Sequence, residues 1–286
     1  MTPGTEIRLD TGQGIIAGLA WGPEPATPVL ALHGWLDNAA SFEPLAQYLP
    51  DVRLVALDFP GHGHSDWRPG TLWYHYIDYV WDVILAVDQL GWQRFHLLGH
   101  SLGAAVATAV AAACPERVMD LSLIEAIGPL AERESATGAR LKNACADLKK
   151  LSTKTRPRYT DIEILVQARA VKGGIDIDSA RLLVNRNVTG SDGNLQWRSD
   201  PRLTVTSPAR LTEKQILNLL SSVEAATLTI ESEPPTFILD GETLAARTAA
   251  LGVAKQVRIA GHHHLHMASP EPVAAAIMEH ISSLPQ

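Results

Sequence analysis

Cysteine is scarce in this chain of 286 residues, which contains only Cys114 and Cys145. Two cysteines do not suggest a disulfide framework, and we expect Cys114, at the end of an alanine-rich stretch, to be a small buried hydrophobe. No apolar run approaches the roughly 18 residues of a membrane-spanning helix. The N-terminal segment has neither the basic region nor the apolar region of a secretory signal. These absences predict a cytoplasmic protein without a membrane span.

Positive charge is also in short supply, with 24 Lys and Arg against 31 Asp and Glu and a net charge of −7. This balance argues against nucleic acid as a partner, because no basic excess would offset phosphate repulsion. A hydrophobic content of 46% and a charged content of 19% are typical of a globular protein with an ample core. The composition is compatible with either a monomer or a homodimer.

Short apolar runs alternate with helical stretches along most of the chain. After an opening hairpin, this alternation indicates right-handed crossovers and a mostly parallel, eight-stranded, doubly wound α/β sheet. The predicted strands are 6–9, 15–21, 28–32, 53–57, 95–98, 119–124, 236–239 and 256–259. The predicted helices between them are 42–49, 74–90, 102–113, 243–251 and 270–283.

The alternation lapses between about Pro129 and Ala226, where the chain shows amphipathic helical pieces instead of buried strands. These pieces are 135–151, 160–171, 177–184 and 211–219. Compact domains rarely carry irregular connections of such length, so we interpret the stretch as a helical cap. The predicted domains are a core formed by 1–128 and 227–286, with 129–226 inserted as the cap.

The pentapeptide Gly99-His100-Ser101-Leu102-Gly103 links an apolar strand to an alanine-rich helix. This is a G-x-S-x-G pattern in the context that its chemistry requires, because a sharp strand-to-helix turn holds the central serine exposed in a strained conformation. The two glycines let the helix pass close to the strand. We therefore predict that Ser101 is a nucleophile.

A serine hydroxyl needs an adjacent base that a third group orients. The base should follow the last strand, where His262, His263, His264 and His266 leave its identity open. Four histidines could also bind a metal. However, neighbours on a tight loop point in different directions, and no Cys, Asp or Glu stands at ligand spacing. We therefore predict no metal site and no cofactor, and we expect His266 to pack against the final helix.

The chain resembles the α/β-hydrolase superfamily, and within it the serine-hydrolase-like branch. The resemblance covers the chain from about Pro28 to the C-terminus. It is carried by His33-Gly34-Trp35-Leu36-Asp37-Asn38-Ala39, Asp58-Phe59-Pro60-Gly61-His62-Gly63-His64-Ser65, Arg198-Ser199-Asp200-Pro201-Arg202-Leu203 and the segment 261–267. Members place the catalytic histidine seven residues before the proline that opens the last helix. That count from Pro270 gives His263, with His262 and His264 as alternatives.

The third group, an acid that would complete a serine–histidine–acid triad, departs from the common pattern of the superfamily. An aspartate usually follows the glycine after the penultimate strand by three residues, but Leu244 occupies that position. The resembling branch carries an acid after the strand that follows the nucleophile helix, and here that acid is Glu125. A carboxylate after an apolar strand is costly without a partner, which a histidine N–H would supply. Asp240 and Glu242 remain alternatives, and pairing with a cap arginine is the structural alternative for Glu125.

An oxyanion hole needs two backbone N–H groups aimed at the tetrahedral intermediate. We expect them from Leu102, after the nucleophile, and from Trp35, in the loop after the strand that ends at Leu32. His33 is expected to be a structural hydrogen-bonding residue, and His62 and His64 are expected to brace their loop. The predicted substrate-binding residues are Trp35, Leu36, His100, Ala126 and Ile127.

The sharp strand-to-helix turn at residue 101 is called the elbow below. A serine at the elbow argues against haloalkane dehalogenases and epoxide hydrolases of similar sequence outline, which use aspartate at this position. It favours a carboxylic-ester or thioester hydrolase that forms an acyl-enzyme with a small or medium, mainly uncharged substrate. The chain lacks an H-G-G-G oxyanion motif, which disfavours a secreted lipase. The alternatives are a ligand-sensing protein with a retained triad, a carbon–carbon bond hydrolase and a cofactor-free perhydrolase.

Overall fold

An eight-stranded sheet forms the centre of the protein in the computed structural model, which describes residues 3–70, 73–191, 193–236, 239–253 and 255–283. Its strand order is β1-β2-β4-β3-β5-β6-β9-β10. The first two neighbouring pairs are antiparallel and all the others are parallel, which confirms the predicted fold class. The strands are β1 (Thr5–Asp10), β2 (Ile15–Trp21), β3 (Thr27–Leu32), β4 (Val52–Leu57), β5 (Phe95–His100), β6 (Val118–Ile124), β9 (Ala226–Glu233) and β10 (Lys255–Ala260).

The central strands are apolar on both faces because helices cover both sides of the sheet. Along β3, Leu30 and Leu32 contribute to one core cluster, whereas Val29 and Ala31 contribute to the other. The first cluster lies under α2 (Asp78–Gln89), α3 (Leu102–Ala113) and α8 (Gly241–Leu251). The second lies under α1 (Glu43–Ala46), α9 (Leu265–Ala268) and α10 (Pro270–Ser282). The alternation of side chains along each strand thus builds two cores.

Between β6 and β9 the chain forms helices and one small hairpin. The helices are α4 (Thr137–Ser152), α5 (Ile162–Gly173), α6 (Ile177–Asn187) and α7 (Glu213–Leu220), and the hairpin pairs β7 (Val188–Thr189) with β8 (Gln196–Trp197). A third hydrophobic cluster joins α5 and α6, and Met267 of α9 packs into it. Ile216 and Leu220 of α7 lie instead in the first cluster beneath the sheet. The boundaries 129–226 of a cap stay a prediction.

Two local predictions were wrong. The penultimate strand is Ala226–Glu233 rather than 236–239. Of the predicted strand, Thr236 and Leu239 are not in a strand, and Phe237 and Ile238 lie outside the described residues. Cys114 is partly exposed rather than buried, because it is the residue at which α3 ends.

Candidate active site

Ser101 occupies the sharp turn between β5 and α3, with φ 52° and ψ −113°. The glycines on either side have a steric reason. A Cβ on Gly99 would lie 2.5 Å from the carbonyl oxygen of Gly103, and a Cβ on Gly103 would lie 1.9 Å from the carbonyl oxygen of Leu32. Any side chain at these positions would push α3 away from the sheet. The pentapeptide therefore has the close strand-to-helix approach that the sequence predicts.

Backbone strain is concentrated near this turn. Within the described part of the chain, the non-glycine residues with positive φ are Leu36 at 61°, Ser101 at 52° and Glu125 at 59°. Each follows or lies close to the end of a central strand, β3, β5 or β6 respectively. Such conformations cost of order 1–3 kcal/mol each and cluster at functional sites. The strain marks one edge of the sheet as the candidate site.

His263 and Glu125 meet at this edge. The Nδ1–H of His263 donates to Oε2 of Glu125 at 3.3 Å. Glu125 is only 3% exposed, and its side chain makes no ion pair with an arginine among the described residues. A buried carboxylate hydrogen-bonded to an imidazole is the arrangement that orients a general base.

Further donors complete the surroundings of the Glu125 carboxylate. The Thr236 hydroxyl donates to Oε2 at 2.5 Å, and the Ser232 backbone N–H donates to Oε1. Burial acts to raise the pKa of Glu125, but these hydrogen bonds and the one from His263 outweigh burial and lower the pKa to about 2. Glu125 is therefore ionised throughout the neutral range. Sequence reasoning missed both donors, since Ser232 lies within and Thr236 just after β9, a strand that it did not predict.

Ser101 and its neighbour His100 contact the segments that carry the acid and the base. The Ser101 backbone N–H donates to the carbonyl of Ile124 at 3.0 Å, one residue before Glu125. The His100 ring centroid lies 4.9 Å from that of His263. Nowhere in the described residues does a hydrogen bond join the Ser101 hydroxyl to His263. Catalytic hydrogen bonds in ligand-free proteins are often long and shorten only when substrate is bound.

The alternative acids and bases have other contacts. Asp240 caps α8 by accepting from the backbone N–H and the hydroxyl of Thr243 at 2.9 and 2.8 Å, and Glu242 lies exposed in the first turn of the same helix. His264 donates to Asp37 at 3.2 Å. His262 has a buried Nδ1 without a partner among the described residues. Among the candidate acids and bases that the structure describes, the hydrogen bond between an acid and a base is the one from His263 to Glu125.

The backbone N–H groups expected to form an oxyanion hole belong to Trp35 and Leu102. Neither group has a hydrogen-bond partner among the described residues. The neighbouring N–H of Leu36 is already used, because it donates to Nε2 of His62 at 3.3 Å. Trp35 is 49% exposed, and its indole N–H donates to the carbonyl of Leu203 at 3.0 Å. An oxyanion hole at Trp35 and Leu102 remains a prediction, and both donors are available for it.

Several histidines brace the loops around the site. His33 donates through Nδ1 to the Gly34 carbonyl at 2.7 Å and accepts at Nε2 from the Phe59 N–H at 3.0 Å. Burial lowers the pKa of His33 and lowers that of His62 to about 3. Each ring is thus neutral and satisfied in one tautomer, which is the structural role expected for it. His64 is half-buried and its backbone N–H donates to Asp58 at 2.8 Å.

Two of the residues predicted to bind substrate have restricted access. His100 is 1% exposed and its ring faces other histidines, so the structure places it behind the site. His266 is not one of these residues and is expected to pack against the final helix. Its ring centroid lies 5.0 Å from that of Phe42 and 4.2 Å from that of His100. Ile127 is 3% exposed.

A cavity of about 280 Å³ lies beside the acid. Glu125, Ala126, Ile127 and Thr229 line it together with apolar side chains of β6, β9 and α8. Ser101 is not among the described residues that line the cavity. The cavity therefore does not identify where a reacting carbonyl would sit.

Across the described residues, no group of three or more His, Cys, Asp or Glu side chains is placed to hold a metal ion. In the same residues, no helix combines the length and the apolar character needed to cross a membrane.

Residues 27–143 match the family model described as alpha/beta hydrolase fold. A serine hydrolase-like protein of Danio rerio is 32% identical over 285 residues, which cover 96% of this chain and 87% of the relative. This chain is a member of the serine hydrolase-like branch of the α/β-hydrolase superfamily. The serine hydrolase-like relatives support hydrolase activity for it.

Solved structures resemble this serine hydrolase-like protein over almost its whole length. The crystal structure of a hypothetical protein from Pseudomonas aeruginosa PAO1 is 37% identical, with a TM-score of 0.91 over 97% of this chain and 99% of that chain. A thioesterase domain from the curacin biosynthetic pathway is 25% identical, with a TM-score of 0.84 over 97% of this chain and all of that chain (100%).

Proposed function

We propose that this serine hydrolase-like protein hydrolyses a carboxylic ester or thioester through an acyl-enzyme on Ser101. The observation that carries the proposal is the strained serine at the elbow, together with an imidazole hydrogen-bonded to a buried carboxylate at the same edge of the sheet. A serine nucleophile with an oriented base supports acyl transfer. The thioesterase domain with a TM-score of 0.84 supports including thioesters in the substrate class.

In the proposed reaction, Ser101 Oγ attacks the carbonyl carbon while its proton passes to Nε2 of His263. The N–H groups of Trp35 and Leu102 stabilise the resulting oxyanion. Collapse of the intermediate breaks the bond to the leaving group, which departs with the proton from His263. A water molecule then attacks the acyl-enzyme, with His263 as base, and releases the carboxylic acid and free Ser101.

Glu125 orients His263 in this scheme and compensates its charge when the imidazole is protonated. Its pKa of about 2 keeps it ionised through the cycle, so it does not take the proton itself. The Thr236 hydroxyl and the Ser232 N–H fix the carboxylate on its other sides. They leave Oε2 directed at Nδ1 of His263.

We further propose that residues 129–226 act as the cap over this site. Two buried ion pairs connect α5 and α6 with the core, between Arg169 and Asp37 and between Arg186 and Asp58. The half-exposed Trp35 contacts the same region through Leu203. A small or medium, mainly uncharged acyl group would bind between Trp35 and the cap.

The test is pre-steady-state kinetics with p-nitrophenyl acetate. We expect a burst of about one equivalent of nitrophenol per protein molecule, which Ser101→Ala abolishes. Ser221→Ala, at an exposed serine on the surface of the protein, is the matched control and keeps the burst. Absence of a burst and of turnover across esters and thioesters of two to eight acyl carbons would reject hydrolysis in favour of ligand binding.

A further inference from the structure

The buried carboxylate of Asp37 connects two parts of the protein that are far apart in sequence. Asp37 is 1% exposed. Its Oδ1 forms an ion pair with Arg169, 132 residues away on α5, and its Oδ2 accepts from Nε2 of His264, 227 residues away, at 3.2 Å. The ring of His100 lies on the same side, with Nδ1 at 3.8 Å from Oδ2. One carboxylate therefore contacts both the region proposed as the cap and the histidine loop.

The loop that carries His263 is held at two adjacent points. His100 donates from Nε2 to the carbonyl oxygen of His263 at 2.7 Å, and Asp37 accepts from the ring of the next residue, His264. The peptide group between His263 and His264 is planar, so these contacts restrict the direction in which the His263 side chain leaves the loop. They supplement the hydrogen bond from His263 to Glu125.

The backbone at Gly34 makes room for this arrangement. A Cβ at Gly34 would lie 2.9 Å from Oδ2 of Asp37 and 2.9 Å from Nδ1 of His100. Both side chains are buried, so neither could move aside easily. The position of Asp37 against the histidines therefore depends on a residue without a side chain.

Arg169 supplies the cation that this buried carboxylate needs. Burial acts to raise the pKa of Asp37, but the charges of His264 and Arg169 outweigh burial and hold the pKa well below its usual range. Without the guanidinium group, the buried Asp37 carboxylate would have to gain a proton or form a stronger hydrogen bond with the ring of His264. Either change alters the contact that holds the histidine loop.

We propose that Asp37 is a positioning residue that couples docking of Arg169 to the alignment of His263. The proposal rests on the function proposed above. With Arg169 docked, Asp37 holds His264 and the loop presents His263 to Ser101 and Glu125. With Arg169 withdrawn, the loop loses this support and acyl transfer slows. Efficient hydrolysis therefore requires the closed arrangement of α5 on the core.

The test compares Arg169→Met with the matched control Arg186→Met. Arg186 also joins a helix of the 129–226 region to a buried carboxylate, donating from Nε to Asp58 at 3.0 Å. None of the described contacts of Asp58 involves the loop of His263. Both variants lose an ion pair to a buried carboxylate, and Arg186→Met also loses the pair with Glu6, so both should have a lower melting temperature. Only Arg169→Met should lower kcat for p-nitrophenyl acetate, by about 10- to 100-fold, through misalignment of the base.

The pH profile separates positioning from a structural role. Removing the guanidinium charge favours protonation of the nearby imidazoles, which face Glu125 and Asp37 as the surrounding carboxylates. Because the base must be neutral, the acidic limb of kcat/KM should move to higher pH in Arg169→Met and stay in place in Arg186→Met. Arg169→Lys, which keeps the charge, should return kcat to within about threefold of the parent.

Equal losses of kcat in the two methionine variants, with unchanged pH profiles, overturn the proposal. If Arg169→Met does not fold, Asp37→Asn decides, because it keeps the side-chain shape, should lower kcat, and should move the acidic limb to lower pH through the loss of a negative charge beside the imidazoles. An unshifted profile in Asp37→Asn overturns the proposal as well. Failure of the proposed function is distinguishable, since the parent protein itself would then show neither a burst nor turnover.

Discussion

Replacing Glu125 with glutamine should reduce turnover by about 10³- to 10⁴-fold, which corresponds to about 4 to 5 kcal/mol of transition-state stabilisation. The substitution keeps the shape of the side chain. The backbone N–H of Ser232 will keep the amide oxygen as its acceptor, because that contact is buried and a lost acceptor is costly. The amide NH₂ group then faces Nδ1 of His263, where Oε2 stands in the parent protein at 3.3 Å.

This reversal of donor and acceptor determines the effect. An NH₂ group cannot accept a hydrogen bond, so His263 should adopt the tautomer with its proton on Nε2. That nitrogen can then no longer receive the proton of Ser101. The variant also lacks the negative charge that compensates the imidazolium.

The assay is stopped-flow acylation with p-nitrophenyl acetate at pH 7, with circular dichroism to confirm that the variant is folded. Glu231→Gln is the matched control, because Glu231 lies on the neighbouring strand and accepts from Gln256 at 2.9 Å without contacting His263. The control should keep kcat within about threefold of the parent. An acylation rate for Glu125→Gln within tenfold of the parent would refute the assignment of the acid.

Three further outcomes are expected. Gly103→Ala should lower the free energy of unfolding by about 3 kcal/mol or more, since its Cβ would lie 1.9 Å from the Leu32 carbonyl oxygen. A urea unfolding curve that matches the parent would contradict the close approach of α3 to β3. Asp240→Asn should keep kcat within about threefold and leave the helix cap largely in place; a large loss of kcat would return Asp240 to the triad. Ionised Glu125, with its pKa lowered from 4.5 to about 2, should contribute about 3 kcal/mol of stability above pH 4.5 and lose it as the pH falls towards 2. The stability difference between the parent and Glu125→Gln should therefore narrow between pH 7 and pH 3, and a constant difference contradicts the pKa shift.

The central strands and the elbow could be predicted from sequence because their signals are local. A short apolar run such as 28–32 fits a strand buried on both faces, and the pentapeptide around Ser101 carries its own steric reason. Strand β9 escaped prediction because Thr227 and Thr229 interrupt its apolar character, although both are buried. Threonine suits a strand through its branched Cβ. The segment 236–239 has a more continuous apolar run and therefore fits the pattern of a buried strand better from sequence alone.

The surroundings of the histidine loop could not be predicted for a different reason. The contacts of Asp37 reach Arg169 and His264 across 132 and 227 residues, and no local pattern encodes how α5 sits on the core. Ser232 and Thr236 can be identified as donors to Glu125 only from the position of β9 beside β6. The proposed reacting groups could therefore be reached from sequence more readily than the groups proposed to position them, because position depends on long-range packing.

The proposed reaction requires Ser101 to be an activated nucleophile, which covalent labelling tests directly. Intact-mass spectrometry after treatment with a fluorophosphonate should show one adduct per chain, located by peptide mapping on Ser101 and absent in Ser101→Ala. Labelling should slow markedly in Glu125→Gln, because the base is misaligned. An unlabelled parent protein, or an adduct that persists in Ser101→Ala, would contradict the account.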